Sequence, residues 1–304
     1  METRVQALPD EAAALKGLTQ ELLRSHHQHN YGGAVKKRNA IRAKLKAIAP
    51  LTLPGFEING LKREELIASN SILLHELYFA SLGGAGAPMS PAMELALTAS
   101  FGSVARWQDE FVAMGKALSG GSGWVLLVFQ PQDGTLVNQW AADHTHALVG
   151  GVPLLALDMY EHSYHMDFGA AAGRYVDAFM GNIRWAAVYE RYQQAVNGIS
   201  EGLGAIHPDV KGALLLDVRR KGVFMAATSR MVGAQWLDPA AIESWADTLT
   251  TEREIIVYCV HGHEVSRAAA LRLRAHGLNA RYLRGGIDGW QAAGLPVERT
   301  SAFP

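Results

Sequence analysis

The chain has 304 residues and a formal net charge of −1, from 28 Lys and Arg against 29 Asp and Glu. So even a balance gives no electrostatic footprint for nucleic acid and no pull toward acidic membranes. Apolar residues make up 49%, ample for packed cores, and the length exceeds the usual single core, so two domains are expected. No run reaches the length of a membrane-crossing helix, and Met1–Asp10 lacks the charged and apolar regions of a signal peptide. A soluble cytoplasmic protein is the expectation.

In chain order, Glu11–Ala47 carries apolar residues at helical spacing, interrupted by Gly32-Gly33 and closed by Pro50 to Pro54. Leu61–Ser81 predicts a second helix, ended by the glycine-rich Gly83 to Pro88. Pro91–Ala117 predicts further helix. Trp124–Gln130 and Gly134–Trp140 are apolar runs joined by Pro131-Gln-Asp-Gly134, which predicts a hairpin. Val152–Asp158 reads as a buried strand and Ala171–Val196 as helix. Beyond residue 200 the pattern changes: short strands at Ala213–Asp217, Ile255–Cys259 and Ala280–Leu283 alternate with helices at Ala240–Leu249 and Ser266–His276. Such alternation argues for a small parallel α/β sheet. Asn197–Pro208, rich in glycine, reads as the join.

Two features carry chemistry. The first is Asp158-Met-Tyr-Glu-His162, just after a buried strand. A carboxylate there is costly unless neutralised, and a metal ion with His162 as a second ligand would do so. Eight of the 12 histidines precede residue 170. His75 lies in the largely apolar Ser71–Phe79 helix, where a buried imidazole needs a partner such as a metal. The second feature is Cys259, the only cysteine, which excludes an internal disulfide or a thiolate cage. It ends a strand and begins Cys-Val-His-Gly-His-Glu-Val-Ser before a helix, a setting that favours a thiolate and can cradle an anion or a persulfide.

Over residues 7–195 the chain resembles the iron/manganese superoxide dismutase family. Asp158-x-Tyr-Glu-His-Ser-Tyr164 is similar to the family's C-terminal metal motif, with Tyr160 where the family has tryptophan. Ser25-His26-His27-Gln28 matches its first-helix motif, His75 before Glu-Leu-Tyr-Phe its second-helix ligand. Gly121-Ser-Gly-Trp124 and Asn182-Ile-Arg-Trp185 fit two further landmarks. The resemblance implies His26, His75, Asp158 and His162 as ligands of one iron or manganese ion per subunit. It implies superoxide as substrate, with dioxygen and hydrogen peroxide as products. That imidazole and carboxylate set, without thiolate, suits either metal. His144, in Ala142-Asp-His-Thr-His146, is taken as the catalytic residue near metal-bound solvent, with His146 in reserve. The family's gateway tyrosine falls at Ala34 and its helix-face histidine at Asn30; Tyr31 stands nearby as a substitute if the helix is altered around Gly32-Gly33. His165 replaces a tyrosine that bonds across the dimer interface. Glu161 bridges, in the family, to the partner's ligand histidine, so a homodimer through Glu161 and His162 is implied.

Residues 208–299 resemble a rhodanese domain. Leu214-Leu-Leu-Asp-Val-Arg219, Val232-Gly-Ala234, and Leu283-Arg-Gly-Gly-Ile-Asp-Gly-Trp290 with Ala293 to Val297 carry the likeness. It makes Cys259 the sulfur-accepting nucleophile, with a sulfur donor and acceptor as partners. The loop is one residue longer than the common form, and Glu264 and Val265 stand where arginine is usual; His261 and His263 restore some positive charge when protonated.

The expected organisation is a helical hairpin at 1–90, an α/β part at 91–196, a linker at 197–207 and a small parallel-sheet rhodanese-like domain at 208–304. The leading function is superoxide dismutation with an appended sulfur-transfer or thiol-sensing domain. The alternatives are a sulfurtransferase whose other half is a metal-binding dimerisation scaffold, or a non-enzymatic metal or redox sensor.

Overall fold

A computed structural model describes residues 2–9, 15–84, 86–146 and 148–300. Thr19 opens helix α1 (Gln20–Ser25) by accepting from the Leu22 amide at 3.2 Å. The chain then widens into a π-helical turn, His26–Tyr31, and continues as α2 (Gly32–Ala47). Gly32-Gly33 therefore do not break the helix. Glycine costs a helix only about 1 kcal/mol, and here Gly32, Ala34 and Val35 are buried in the first turn of α2, where packing overrides propensity. Among the described residues helical structure begins at Gln20; the start of the expected helix, residues 11–14, lies outside them. Pro54, in an extended conformation, starts α3 (Gly55–Ala80) earlier than expected, and α3 packs against α2.

The expected helix Pro91–Ala117 is two helices, α4 (Pro91–Phe101) and α5 (Val104–Ala117). Gly102, at φ 84°, ends the first in a left-handed turn, and Ser103 caps the second through the Arg106 amide at 3.1 Å. Strands β1 (Trp124–Gln130), β2 (Thr135–Ala141) and β3 (Val152–Asp158) form an antiparallel sheet with β1 in the middle. The hairpin is the expected one, with Gln130 opposite Thr135. After α6 (His165–Phe168), the expected single helix at 171–196 is again two, α7 (Ala172–Gly181) and α8 (Trp185–Ser200). The break sits at Asn182, whose side chain accepts from the Lys16 amide at 2.9 Å and donates to the Lys16 carbonyl at 2.8 Å. Ile183 follows in a bridge to Leu82. Those long-range bonds outcompete continued helix.

The second unit holds β4 (Gly204–Ala205), β5 (Leu214–Asp217), α9 (Lys221–Met225), β6 (Ser229–Met231), β7 (Gln235–Trp236), α10 (Ile242–Ala246), β8 (Ile255–Tyr258), α11 (Glu264–Ala275), β9 (Ala280–Leu283), α12 (Gly286–Ala292) and β10 (Val297–Arg299). Five strands make a parallel sheet in the order β4-β9-β8-β5-β7, while β6 and β10 pair antiparallel beside it. The stretch 197–207, expected as a linker, is largely structured: α8 runs to Ser200, and Gly204–Ala205 joins the sheet beside β9. Glycine-rich sequence suits an edge strand this short as well as a loop, so composition alone misreads it.

The two units share a packed face. Ala268 and Leu271 of α11 join the core built from α1 to α8. Gly134, at the tip of the β1–β2 hairpin, lets it approach α11 closely, since an added Cβ would lie 3.0 Å from Leu271 Cβ. Buried Arg272 reaches across, donating to the Ala99 carbonyl at 2.9 Å and to Ser100 Oγ at 2.6 Å while pairing with Glu243 at 2.7 Å.

Candidate metal centre and thiol cavity

Four side chains from three separate segments meet where β3 ends. Asp158 is the last residue of β3, opposite Trp124 of β1, and is fully buried. Its Oδ1 accepts from the Tyr160 amide at 2.9 Å, which turns the chain into the short 3-10 turn Glu161–Ser163. That turn brings His162 Nε2 to 3.2 Å from Asp158 Oδ2. His75 Nε2 from α3 lies 3.6 Å from the same oxygen, and His26 Nε2 from the π turn lies 3.1 Å from it. All four donor atoms fall within 4.8 Å of one another.

The chemistry of this set fits a metal ion. His75 Nδ1 lies 2.6 Å from the Ser71 carbonyl, which can only accept, so Nδ1 carries the proton and Nε2 presents a lone pair. That Nε2 is buried without a hydrogen-bond partner among the described residues, and so are both ring nitrogens of His26. His26 Nε2 stands at ion-pair distance from Asp158 yet lacks hydrogen-bond geometry, as expected of two donors aimed at a common point. Ligands about 2.1 Å from one centre lie about 3 Å apart at right angles and about 4 Å apart at opposite poles. The observed spacings fall near that range. Burial lowers the His26 and His144 imidazoles and takes His75 down to about 3, keeping them neutral as metal binding requires. Burial pushes the Asp158 carboxyl up, but His162 and His26 outweigh it and hold the group well below the usual carboxylate range.

A tightly packed shell fixes these groups. Tyr175 donates its hydroxyl to the Asp158 carbonyl at 2.8 Å and Ser163 Oγ donates to it at 2.8 Å. Tyr78 and Phe79 pack against His26, and Trp124 meets His75 edge-on at 5.3 Å. Sequence reasoning did not single out Tyr175, Tyr78, Phe79 or Ser71. For the last three a signal existed, because Ser71, Tyr78 and Phe79 lie four or fewer residues from His75 on one helix.

His144 is the histidine of its loop that reaches this shell. Its ring lies 6.1 Å from His75, its Nδ1 is 3.0 Å from the Tyr160 hydroxyl, and its Nε2 is buried without a partner among the described residues. His146 instead accepts from the Ala142 amide at 3.2 Å and rests against Trp140 at the surface. Burial and the nearby Asp158 charge push the Tyr160 phenol up to about 12, so it stays protonated. Tyr31 stacks toward His75, but its hydroxyl is committed to Glu76 Oε1 at 2.7 Å and the Gln6 amide at 2.9 Å. Ala34 is buried, and Asn30 is half-buried. Glu161 and His165 are exposed. His162 is 25% exposed, unlike the other three putting their donors into the core.

Cys259 lies apart from this centre, immediately after β8 at the carboxyl end of the parallel sheet, where ligands of such sheets bind. It is buried, with Sγ 3.2 Å from Ser266 Oγ. A cavity of about 250 Å³ opens over it, lined by Arg219, Arg220, His261 and His263 from the same unit. Arg219 is held by both oxygens of Asp217 at 2.9 Å, so most of its charge is spent within the fold. His261 pairs with Asp288 at 2.9 Å. Glu264, the first residue of α11, also lines the cavity, and its carboxylate accepts from Tyr189 at 2.6 Å and Gln193 at 3.1 Å, both on α8.

Comparison with known proteins places both units. The family described as iron/manganese superoxide dismutases, C-terminal domain, matches residues 89–191, and the rhodanese-like domain family matches residues 204–293. The chain is 61% identical over 186 residues to a superoxide dismutase [Fe] of Cupriavidus metallidurans, covering 61% of this chain and 94% of that protein. It is 34% identical over 190 residues to a superoxide dismutase [Fe] of Aquifex pyrophilus, covering 60% and 87%. Superoxide dismutase [Mn] 2 of Haloferax volcanii is 33% identical over 200 residues, covering 64% and 98%. The chain belongs to the iron/manganese superoxide dismutase family and continues into a rhodanese-like domain.

Proposed function

We propose that the chain converts superoxide to dioxygen and hydrogen peroxide at an iron or manganese ion held by His26, His75, Asp158 and His162. The observation that carries this is the convergence of three Nε2 atoms on Asp158 Oδ2, with the buried Nε2 atoms of His26 and His75 lacking any hydrogen-bond partner among the described residues. When bound, either metal supplies one-electron exchange: an electron is taken from one superoxide and given to a second, which with two protons becomes peroxide. The protein's own part is to keep the His26 and His75 imidazoles neutral, to fix Asp158 through Tyr160, Ser163 and Tyr175, and to place His144. With the Tyr160 phenol assigned as donor to Nδ1, the His144 proton sits on Nε2, where it orients substrate oxygen.

A homodimer through Glu161 and His162 is part of this reading. It is supported by their position, since the turn that carries one ligand reaches the surface with Glu161 exposed beside it. The cytoplasm is the proposed compartment; no described helix is long and apolar enough to cross a membrane. Metal content and superoxide consumption in wild type and His75→Ala decide the assignment. Wild type should hold one iron or manganese per chain, and full activity in metal-free His75→Ala protein would sink the site.

The second unit supports a separate reading, sulfur transfer through Cys259, on the strength of its cavity at the sheet's carboxyl end. Thiocyanate formation from thiosulfate and cyanide should vanish in Cys259→Ser.

A further inference from the structure

The Cys259 cavity is not closed by the rhodanese-like unit alone. Ala92 of α4 and Tyr189 and Gln193 of α8 line it from the dismutase side. This wall is tied down at several points. Tyr189 donates to Glu264 Oε1 at 2.6 Å, and Gln193 Nε2 donates both to Glu264 Oε2 at 3.1 Å and to the Tyr189 oxygen at 3.0 Å. Arg272 holds Ala99 and Ser100 farther along the same face, and Arg267 pairs with Glu201 at 3.0 Å beyond the end of α8. Glu264 is only 6% exposed, so breaking its bonds would strand a buried carboxylate. The wall is therefore a fixed part of the fold.

Its consequence follows from size. Cys259 is itself 6% exposed, and the space over it is about 250 Å³. Sulfur exchange requires the incoming sulfur to reach bonding distance, about 2 Å from Sγ. A small molecule fits such a space. A cysteine on a folded protein brings its backbone and neighbours with it, and a space of this size, walled in part by Tyr189 and Gln193, does not hold them.

We propose that the dismutase unit acts as a size filter for Cys259, admitting small sulfur donors and acceptors and shutting out protein thiols. The proposal rests on the sulfur-transfer reading and names its substrate class. In the reaction, the Cys259 thiolate attacks the outer sulfur of thiosulfate. An S–S bond to Sγ forms as the donor's S–S bond breaks, and sulfite leaves with the electron pair. Cyanide then takes the outer sulfur as thiocyanate and returns the electron pair to Sγ as thiolate.

Because Cys259 is the only cysteine, thiol labelling of the full chain reads one site. N-ethylmaleimide and a long polyethylene-glycol maleimide are compared on folded and denatured protein. The ratio of the slow large reagent to the small one should be at least about tenfold lower in the folded chain, since access controls thiol reactivity. Tyr189→Ala with Gln193→Ala should raise that ratio toward the denatured value, while Tyr189→Phe, which keeps the ring, should leave it low. On thiosulfate-loaded wild type, cyanide should remove the sulfur and reduced thioredoxin should not; the double variant should serve both. Equal ratios in folded and denatured wild type, or thioredoxin serving wild type as fast as cyanide does, overturn the filter. Failure of thiosulfate to load Cys259 at all overturns the sulfur-transfer reading beneath it, and the maleimide ratio separates the two failures.

Discussion

The metal centre and the thiol cavity are built in opposite ways. Donors of the centre come from α3, the π turn after α1, and the end of β3, so no short stretch of chain contains it. The thiol loop is one continuous run from Cys259 to His263 between β8 and α11. The centre lies inside a single core, whereas the cavity depends on a neighbour for one wall. A site assembled from distant buried segments needs the whole fold but little from its surroundings. A site on one loop forms locally, and its surroundings then decide what reaches it.

The strongest way to break this comparison is to remove one ligand. His75→Ala should cost at least about 100-fold in superoxide consumption along with bound metal, beyond the loss usual for outer partners, while N-ethylmaleimide still labels Cys259 at the wild-type rate. A parallel fall in thiol labelling would mean that the two sites are not independently built. His144→Ala tests the shell around the ligands. It should keep the metal and lose about 10–100-fold in activity, measured by metal analysis beside stopped-flow superoxide decay.

The shared face comes next. Arg272→Ala removes the donor to the Ala99 carbonyl and one of two donors to Ser100 Oγ, which keeps the Leu136 amide, and should cost about 1–3 kcal/mol of stability. Denaturant melts should show the loss, and a melt unchanged within error would deny that this face holds the units together. The smallest effect is expected at His276, on the far end of α11 from Cys259. Burial lowers its pKa, but bonds to Asp247 at 2.6 Å and to Glu243 at 3.3 Å outweigh this and raise it above 6.5. Its contribution is thus complete at pH below 6.5 and fades as pH rises through the raised folded value. Thermal melts of His276→Gln should differ from wild type by no more than about 1 kcal/mol at pH 5.5 and not at all at pH 9.

Much of the fold was legible because apolar periodicity survives in each long element. The β1–β2 hairpin, β3 and the parallel-sheet pattern after residue 200 all follow from short apolar runs between turn residues. Where the reading erred, a distant contact was the reason. Asn182 breaks a predicted helix because its amide is claimed by Lys16, and Gly204–Ala205 is a strand because β9 offers it an edge. Gly32-Gly33 stay helical because the turn around them is buried.

The metal ligands were legible for a different reason. Asp158 and His162 are neighbours in sequence, whereas His26 and His75 are identified as ligands through the family resemblance of the motifs that hold them. Sequence alone thus offered Asp158 and His162 as a candidate pair through short spacing and Cys259 as a candidate nucleophile through its setting, while the family resemblance added His26 and His75. Tertiary structure decided the rest: that His144 and not His146 faces the centre, that Tyr160 holds it, and that Tyr189 and Gln193 stand over Cys259. Each of these is an encounter between residues far apart in the chain, set by the packing of whole elements, and no local pattern encodes it.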